Sequence, residues 1–384
     1  MKILIVPSWY PTEENPILGI FFKEQAKALA KNGCNISVLY PEIRSIRYYQ
    51  SKWKKGITVK TEDGIRTYRY KCYNPFPARV PYSTAFSYYF GLKRLYKLMR
   101  MHEEKPDIIH AHSCLWGGWA AAKIAQKENI PIVITEHSSK FLRNQFKDYE
   151  ISEIKKTLAK TDIIISVGPT LKKSLEKFTN KNIHEIPNIV RFEDFQIDEN
   201  NNTKEKDEFI FFSLAILTPN KGMDVLIKSF ARAFKKQPGV KLVIGGDGPH
   251  KSELIQLTHE LGIESQVQFL GALDRKEVIL HMNKCDAFVL ASKFETFGVV
   301  FIEALSCGKP IISTKSGGPN SIVNSKNGLL VSVNNIEELS DAMLNLYRNY
   351  SQYNSEDIRN DCYERFSEPV ITKQILDLYK SIKT

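Results

Sequence analysis

Apolar and polar positions along this chain keep two alternating rhythms. KILIVP (2–7) is a short, nearly continuous apolar run. IFFKEQAKALAKNG (20–33) then spaces its apolar residues at helical intervals and stops at a glycine, before a second run, NISVLY (35–40). PDIIHAH (106–112), PIVITEH (131–137) and TDIIISV (161–167) repeat the theme with helical segments between. Runs of this kind, separated by amphipathic helices, predict parallel strands buried on both faces. After Pro187 the pattern restarts, with FIFFSLAIL (209–217), VKLVIGG (240–246), VQFLG (267–271), CDAFVLAS (285–292), KPIISTK (309–315) and GLLVS (328–332). The segment 191–207, rich in Asn and charge, reads as a linker or exposed loop. Two successive βα series predict two doubly wound domains, with ligands at the carboxyl ends of the strands.

At 384 residues the chain can build two cores, and its 42% hydrophobic and 25% charged content is that of an ordinary globular enzyme. No stretch approaches the roughly 20 apolar residues that span a bilayer. The opening MKILIVP is too short for a signal peptide and reads as a first strand. The six cysteines, at 34, 72, 114, 285, 307 and 362, form no CxxC pair. That argues against a disulfide framework and for a reducing, cytoplasmic setting.

The net charge of +11 changes the picture more, because residues 1–190 hold 31 Lys and Arg against 17 Asp and Glu. The excess lies wholly in the N-terminal half. It suits nucleic acid or an anionic membrane surface, but no nucleic-acid module accompanies it. Two aromatic-basic stretches favour the membrane: RSIRYYQSKWKK (44–55) and FSYYFGLKRLYKLMRMH (86–102), a predicted helix carrying Lys93, Arg94, Lys97 and Arg100. Peripheral attachment at the inner face of a membrane is expected, and nucleic-acid binding is not.

The densest chemistry is SKFETFGVVFIEALSCGKPII (292–312), where a strand runs through a loop into a helix. Glu295 lies in the loop and Glu303 inside the helix. Gly298 permits close backbone approach, and free N–H groups at the helix start bind anionic oxygens. A loop carboxylate can accept hydrogen bonds from sugar hydroxyls, while one two turns on reaches another part of the same ligand. Two glutamates alone would be solvated flanks of an ordinary βα unit. The pattern S-x-x-E-x-F-G-x-x-x-x-E-A, followed by G-K-P-I-I, is far more specific.

This segment resembles the Glu-x7-Glu signature of retaining GT-B glycosyltransferases, family 4 (group 1), whose motif order can be followed over nearly the whole chain. The resemblance implies an α/β GT-B fold of two facing Rossmann-like doubly wound domains. Residues 1–190 would recognise the acceptor, 191–366 would hold the nucleotide sugar, and a helix over 367–384 would cross back to the first domain. It implies that Glu295 contacts the transferred sugar and Glu303 the ribose. Backbone amides of Phe297, Gly298 and Val299 would face the sugar and diphosphate.

Lys221, in LAILTPNKGMDVLIKSFA (214–231), stands at a helix entry where an ammonium can neutralise phosphate; taken alone it is a surface lysine in a turn. The family reads G-R-L-x-x-x-K-G there. Ala215 and Ile216 replace its Gly and Arg, so one expected cation is missing. By the same resemblance Gly246 and Gly248 wall the nucleotide site, and Gly19 packs against the donor phosphates. Asn320 and Ser321 stand where the family has an acidic residue after GG.

His110, His112 and Cys114 fall on one strand face at period two, which admits a zinc trio, but no fourth ligand is recognisable. The resemblance instead puts His112 on the acceptor side and brings His137, in TEHS, to the transferred sugar. No D-x-D occurs. Hence no metal and no cofactor is expected beyond a UDP- or GDP-linked donor. The activity implied is retaining transfer to a lipid-linked or polysaccharide acceptor in bacterial surface polysaccharide biosynthesis. Alternatives are a non-catalytic GT-B-like partner or sugar-nucleotide sensor, or an NDP-sugar epimerase. An NAD dehydrogenase is weaker, since no dinucleotide fingerprint follows the first strand.

Overall fold

The computed structural model describes residues 1–49, 53–76, 80, 82–196 and 208–383. Most of the Asn-rich segment, 197–207, lies outside these residues, as do 50–52 of the first aromatic-basic stretch. The chain divides into two compact units, Met1–Ile189 with Glu368–Thr384, and Val190–Ser367.

The first unit contains β1 (Lys2–Pro7), β2 (Asn35–Ser45), β3 (Gly56–Glu62), β4 (Ile65–Asn74), β5 (Ile108–His112), β6 (Ile132–Glu136), β7 (Ile163–Ser166) and β8 (Ile183–Glu185). They form one sheet in the order β3-β4-β2-β1-β5-β6-β7-β8. Strand β1 shows why both faces are covered. Ile3 and Ile5 enter the core under the helix Ile20–Lys31, while Leu4 and Val6 enter the core under Ser83–His102. The C-terminal helix Glu368–Lys383 sets Ile371, Ile375 and Tyr379 into the first of these cores, at four-residue spacing on one helix face.

One element departs from the βα reading. Strands β3 and β4 pair antiparallel, with Glu62 opposite Ile65. The two turn residues, Asp63 and Gly64, both have positive φ, 49° and 81°. That is the backbone a two-residue hairpin of this hand requires, and Asp-Gly is its preferred sequence.

The second unit contains β9 (Phe209–Leu214), β10 (Val240–Gly245), β11 (Val267–Gly271), β12 (Ala287–Leu290), β13 (Ile311–Thr314) and β14 (Gly328–Val331), all parallel, in the order β11-β10-β9-β12-β13-β14. The order reverses between β9 and β12. In the first unit it reverses between β1 and β5. Chains leaving adjacent strands at such a point diverge to opposite faces and leave a crevice at the carboxyl edge.

Candidate functional site

In the second unit the loops after β9 and β12 meet at that switch point. Lys221 ends the turn Pro219–Lys221 beyond β9, and its Nζ lies 2.7 Å from Glu295 Oε2. Ser292 Oγ donates to the same oxygen at 3.3 Å. Asn220 ties the two loops together, with its side-chain amide donating to Phe294 O at 3.1 Å and its carbonyl accepting from Lys293 N at 2.7 Å. The backbone of Glu295 then continues into the next loop, accepting from Gly318 N at 2.7 Å and donating to Ser316 O at 3.0 Å. A carboxylate and an ammonium, both partly exposed, are thus held at one edge of the sheet.

Gly298, at φ 92°, turns the chain into the helix Val299–Ser306. A Cβ there would collide with the Phe301 ring, at 2.5 Å. The first amides of this helix open beside Glu295, an arrangement suited to diphosphate oxygens. Glu303 is buried within the helix and forms an ion pair with Arg275. Arg275 also lies over the Phe195 ring at 4.3 Å and near Asp194 at 3.9 Å. The sequence reading did not single out Arg275. The available signal was Asp274, whose side chain caps the helix Arg275–Lys284 and thereby fixes Arg275 at its first position.

Gly246 and Gly248 do not simply present open backbone to a ligand. Cβ atoms on them would lie 1.9 Å from Ala215 O and 2.5 Å from Leu217 O. They let the turn after β10 lie flat on the 215–217 segment. Ile216, where the family carries Arg, is 52% exposed.

In the first unit, Gly19 precedes the helix Ile20–Lys31 and packs against Trp9. Strand β5 brings His110 and His112 onto one face. His110 is consumed by Tyr379 Oη at 2.5 Å and Thr135 Oγ1 at 2.7 Å. His112, which the resemblance puts on the acceptor side, has no exposed surface and stacks between Phe22 and His110. It reaches outward only through His137, whose Nε2 lies 3.2 Å from its Nδ1. His137 itself is 6% exposed, covered by Phe21 and Phe22. Its Nδ1 and the Nε2 of His112 have no hydrogen-bond partner. Cys114 is also buried. Among the described residues no group of three or more His, Cys, Asp or Glu is placed to hold a metal.

Burial pulls the His110 pKa down to about 3 and holds His112 and His137 well below 6.5, with neighbouring imidazoles adding to the effect. The unfolded chain would take up protons near 6.5 that the folded unit refuses. Stability is therefore complete above that pH and lost as pH falls below it. At about pH 5.5 each ring costs on the order of 1 kcal/mol, so the three together cost a few kcal/mol. All four tryptophans, at 9, 53, 116 and 119, lie in this unit. Urea unfolding followed by their fluorescence should show a clearly lower midpoint at pH 5.5 than at 7.5. An unchanged midpoint would contradict the burial of these rings.

Comparison with known proteins bears on the whole chain. Residues 18–194 match the family model described as Glycosyltransferase Family 4, and residues 194–365 match Glycosyl transferases group 1. TuaC of Bacillus subtilis (strain 168), a glycosyltransferase named for teichuronic acid biosynthesis, is 27% identical over 381 residues, 95% of this chain and 93% of that protein. Among solved structures, sucrose-phosphate synthase from Thermosynechococcus elongatus superposes with a TM-score of 0.81 at 19% identity, covering 99% of this chain and 98% of the other. Anabaena HepE, solved with UDP and glucose, gives 0.75 at 18% identity and covers 99% of each chain.

Proposed function

The chain belongs to the family 4, group 1 glycosyltransferases, and we propose that it moves a sugar from a nucleotide-sugar donor to a lipid-linked or polysaccharide acceptor with retention at the anomeric carbon. The observation that carries this is the Lys221–Glu295 pair at the switch point of the second unit, beside the Gly298-capped helix that holds Glu303. The solved complex of HepE with UDP and glucose supports a nucleotide-sugar donor. The name of TuaC supports an acceptor in surface polysaccharide synthesis.

In this reading the helix amides from Phe297 to Val299 and the Lys221 ammonium bind the diphosphate, with Gly19 and the Gly246–Gly248 turn as neighbouring backbone. Glu295 binds sugar hydroxyls, Glu303 the ribose, and His137 the transferred sugar. The acceptor oxygen bonds to the anomeric carbon as the carbon–oxygen bond to the diphosphate breaks on the same face. The acceptor proton passes to the departing diphosphate, whose charge Lys221 and the helix amides stabilise. No metal or cofactor is invoked.

Glu303 already pairs with Arg275, so ribose hydroxyls must share this carboxylate with a cation. Glu303→Gln keeps the shape and removes the charge. A hydrogen bond to a charged group contributes about 1.5–3 kcal/mol, so nucleotide affinity should fall about 10–100-fold. Thermal shift against UDP, GDP and ADP sugars reads this and identifies the base. The proposal fails if none of these nucleotides stabilises the wild-type chain.

A non-catalytic sensor is the second reading, favoured by Ile216 in place of Arg. Donor turnover by the wild type excludes it.

The protein is further proposed to act at the inner face of a membrane. Among the described residues no helix is long and apolar enough to cross one. The helix Ser83–His102, however, exposes Phe86 at 49% and Phe90 at 62% beside its lysines and arginines. Co-sedimentation with anionic vesicles, weakened by Phe90→Ser and by high salt, is the expected result. Equal recovery with and without vesicles contradicts it.

A further inference from the structure

Among the described residues of the first unit are two neighbouring cavities of about 420 and 290 Å³. They share Thr84, Trp116, Lys140, Phe146 and Glu150 along their walls, so they adjoin one another. The outer part adds Tyr82, Tyr149, Gln145 and Lys147. The inner part runs to Ser8, Glu136 and Ser138, the last two flanking His137. The outer cavity thus has an aromatic wall, and the inner one reaches the two residues next to His137 in the chain.

We infer that the outer cavity is an acceptor subsite for a saccharide ring carrying an anionic group, either a carboxylate or a phosphate. This rests on the glycosyltransferase reading and specifies the chemistry of its acceptor.

Three observations carry it. The first is shape. The rings of Trp116 and Tyr149 are parallel to within 4° with centroids 6.5 Å apart, and Tyr82 lies 4.9 Å from Tyr149. Large flat faces with a polar edge suit the alternating C–H and hydroxyl surfaces of a pyranose. The second is polarity. Glu150, Lys140, Lys147 and Gln145 stand in the same walls. A hydrocarbon chain filling the cavity would strip water from these groups without replacing their hydrogen bonds, whereas sugar hydroxyls replace them.

The third is charge. Glu150 is 7% exposed, and its Oε2 is already engaged by the backbone N of Lys147 at 3.0 Å. Its Oε1 takes Lys140 at 3.5 Å. Lys147 is exposed, and among the described residues its ammonium meets no carboxylate; it lies 5.9 Å from the centroid of the Tyr149 ring. Counted over the described residues, the outer wall thus carries one cation more than it neutralises internally. The inner end is closed by Glu136, whose carboxylate accepts three backbone N–H groups, from Cys114, His137 and Ser138, at 2.7–2.8 Å. The anion belongs at the outer end, and a neutral hydroxyl belongs at the inner end.

The test is a tryptophan fluorescence titration of the whole chain with UDP present in excess, so that the nucleotide site is filled. Three probes are used: a hexuronate tetrasaccharide, the same length of neutral oligosaccharide, and that neutral oligosaccharide phosphorylated at a primary hydroxyl. At least one anionic probe should bind ten or more times more tightly than the neutral one. The two anionic arms separate carboxylate from phosphate. Lys147→Gln should bring the preference within about threefold, while Tyr149→Ala should weaken every probe. Equal binding of neutral and anionic probes overturns the inference, as does a preference that survives Lys147→Gln, or no binding at all. Stabilisation by UDP, measured in parallel, reports the donor reading alone. A failed saccharide titration with an intact UDP response therefore sinks the acceptor inference and leaves the glycosyltransferase reading standing.

Discussion

Turnover of sugar transfer should fall about 10²–10³-fold in Glu295→Ala and again in Lys221→Ala, the loss expected when one preorganised charge partner of a transition state is removed. The two side chains share a 2.7 Å ion pair across 74 residues of sequence. Both are mostly shielded, at 25% and 14% side-chain exposure. Their effects should therefore not add. Once Lys221 is gone, Glu295 faces the donor without its counter-charge, and the double variant should lose little more than the worse single one. The two should also separate by readout. Lys221→Ala should weaken binding of the nucleoside diphosphate itself, because the ammonium acts on phosphate. Glu295→Ala should leave diphosphate binding near normal and lower kcat, because the carboxylate acts on the sugar. Activity within about threefold of wild type in either variant, with thermal stability preserved, would remove the pair from the chemistry.

The second large effect concerns folding of the second unit. A Cβ at Gly222 would lie 2.0 Å from Ala291 O, and the residue is held at φ 61°. A Cβ at Gly318 would lie 2.3 Å from Phe297 Cα and 2.4 Å from Phe297 N. In both cases the obstacle is backbone, which cannot swing aside as a flexible side chain can. Gly222 joins the loops after β9 and β12, and Gly318 joins those after β12 and β13. Strain of about 1–3 kcal/mol and overpacking of about 1–3 kcal/mol together predict a loss of about 2–6 kcal/mol for Gly222→Ala. Gly318→Ala should be similar, through overpacking and displacement of the Glu295–Gly318 hydrogen bond. Circular dichroism should show part of the chain melting earlier, while the tryptophan signal of the first unit holds. Nucleotide binding should vanish with the early transition. Gly33→Ala is the control: nothing lies within 4 Å of its Cβ, so only the cost of φ 85° remains. Loss in Gly222→Ala and Gly318→Ala no greater than in that control would mean the loops are not packed as described.

Much of the donor side is legible in the residues because its signals are local. Glu295, Gly298 and Glu303 lie within one loop and one helix, and their spacing is set by helical geometry. The proposed acceptor side is less legible. Trp116, Lys140 and Tyr149 come from three segments between β5 and β7, and no spacing rule links them. The β3–β4 hairpin escaped for another reason. Its Asp63–Gly64 signal is strong, but β3 is mostly exposed and β4 interleaves Arg66, Arg69 and Lys71 with its buried residues, so neither reads as an apolar run.

The sequence by itself determined the doubly wound alternation, because period-two and period-3.6 patterns are properties of neighbouring residues. It also determined which loop carries the paired glutamates and that Ile216 breaks the usual basic pair. Tertiary structure alone decided what those residues meet. Strand order puts the β9 loop against the β12 loop and so gives Glu295 its lysine, and the helix after β11 gives Glu303 its arginine. It also buried His112 and His137 under Phe22. Those outcomes depend on which strands lie side by side, and that is fixed by the packing of whole layers against one another, which no local pattern in the chain encodes.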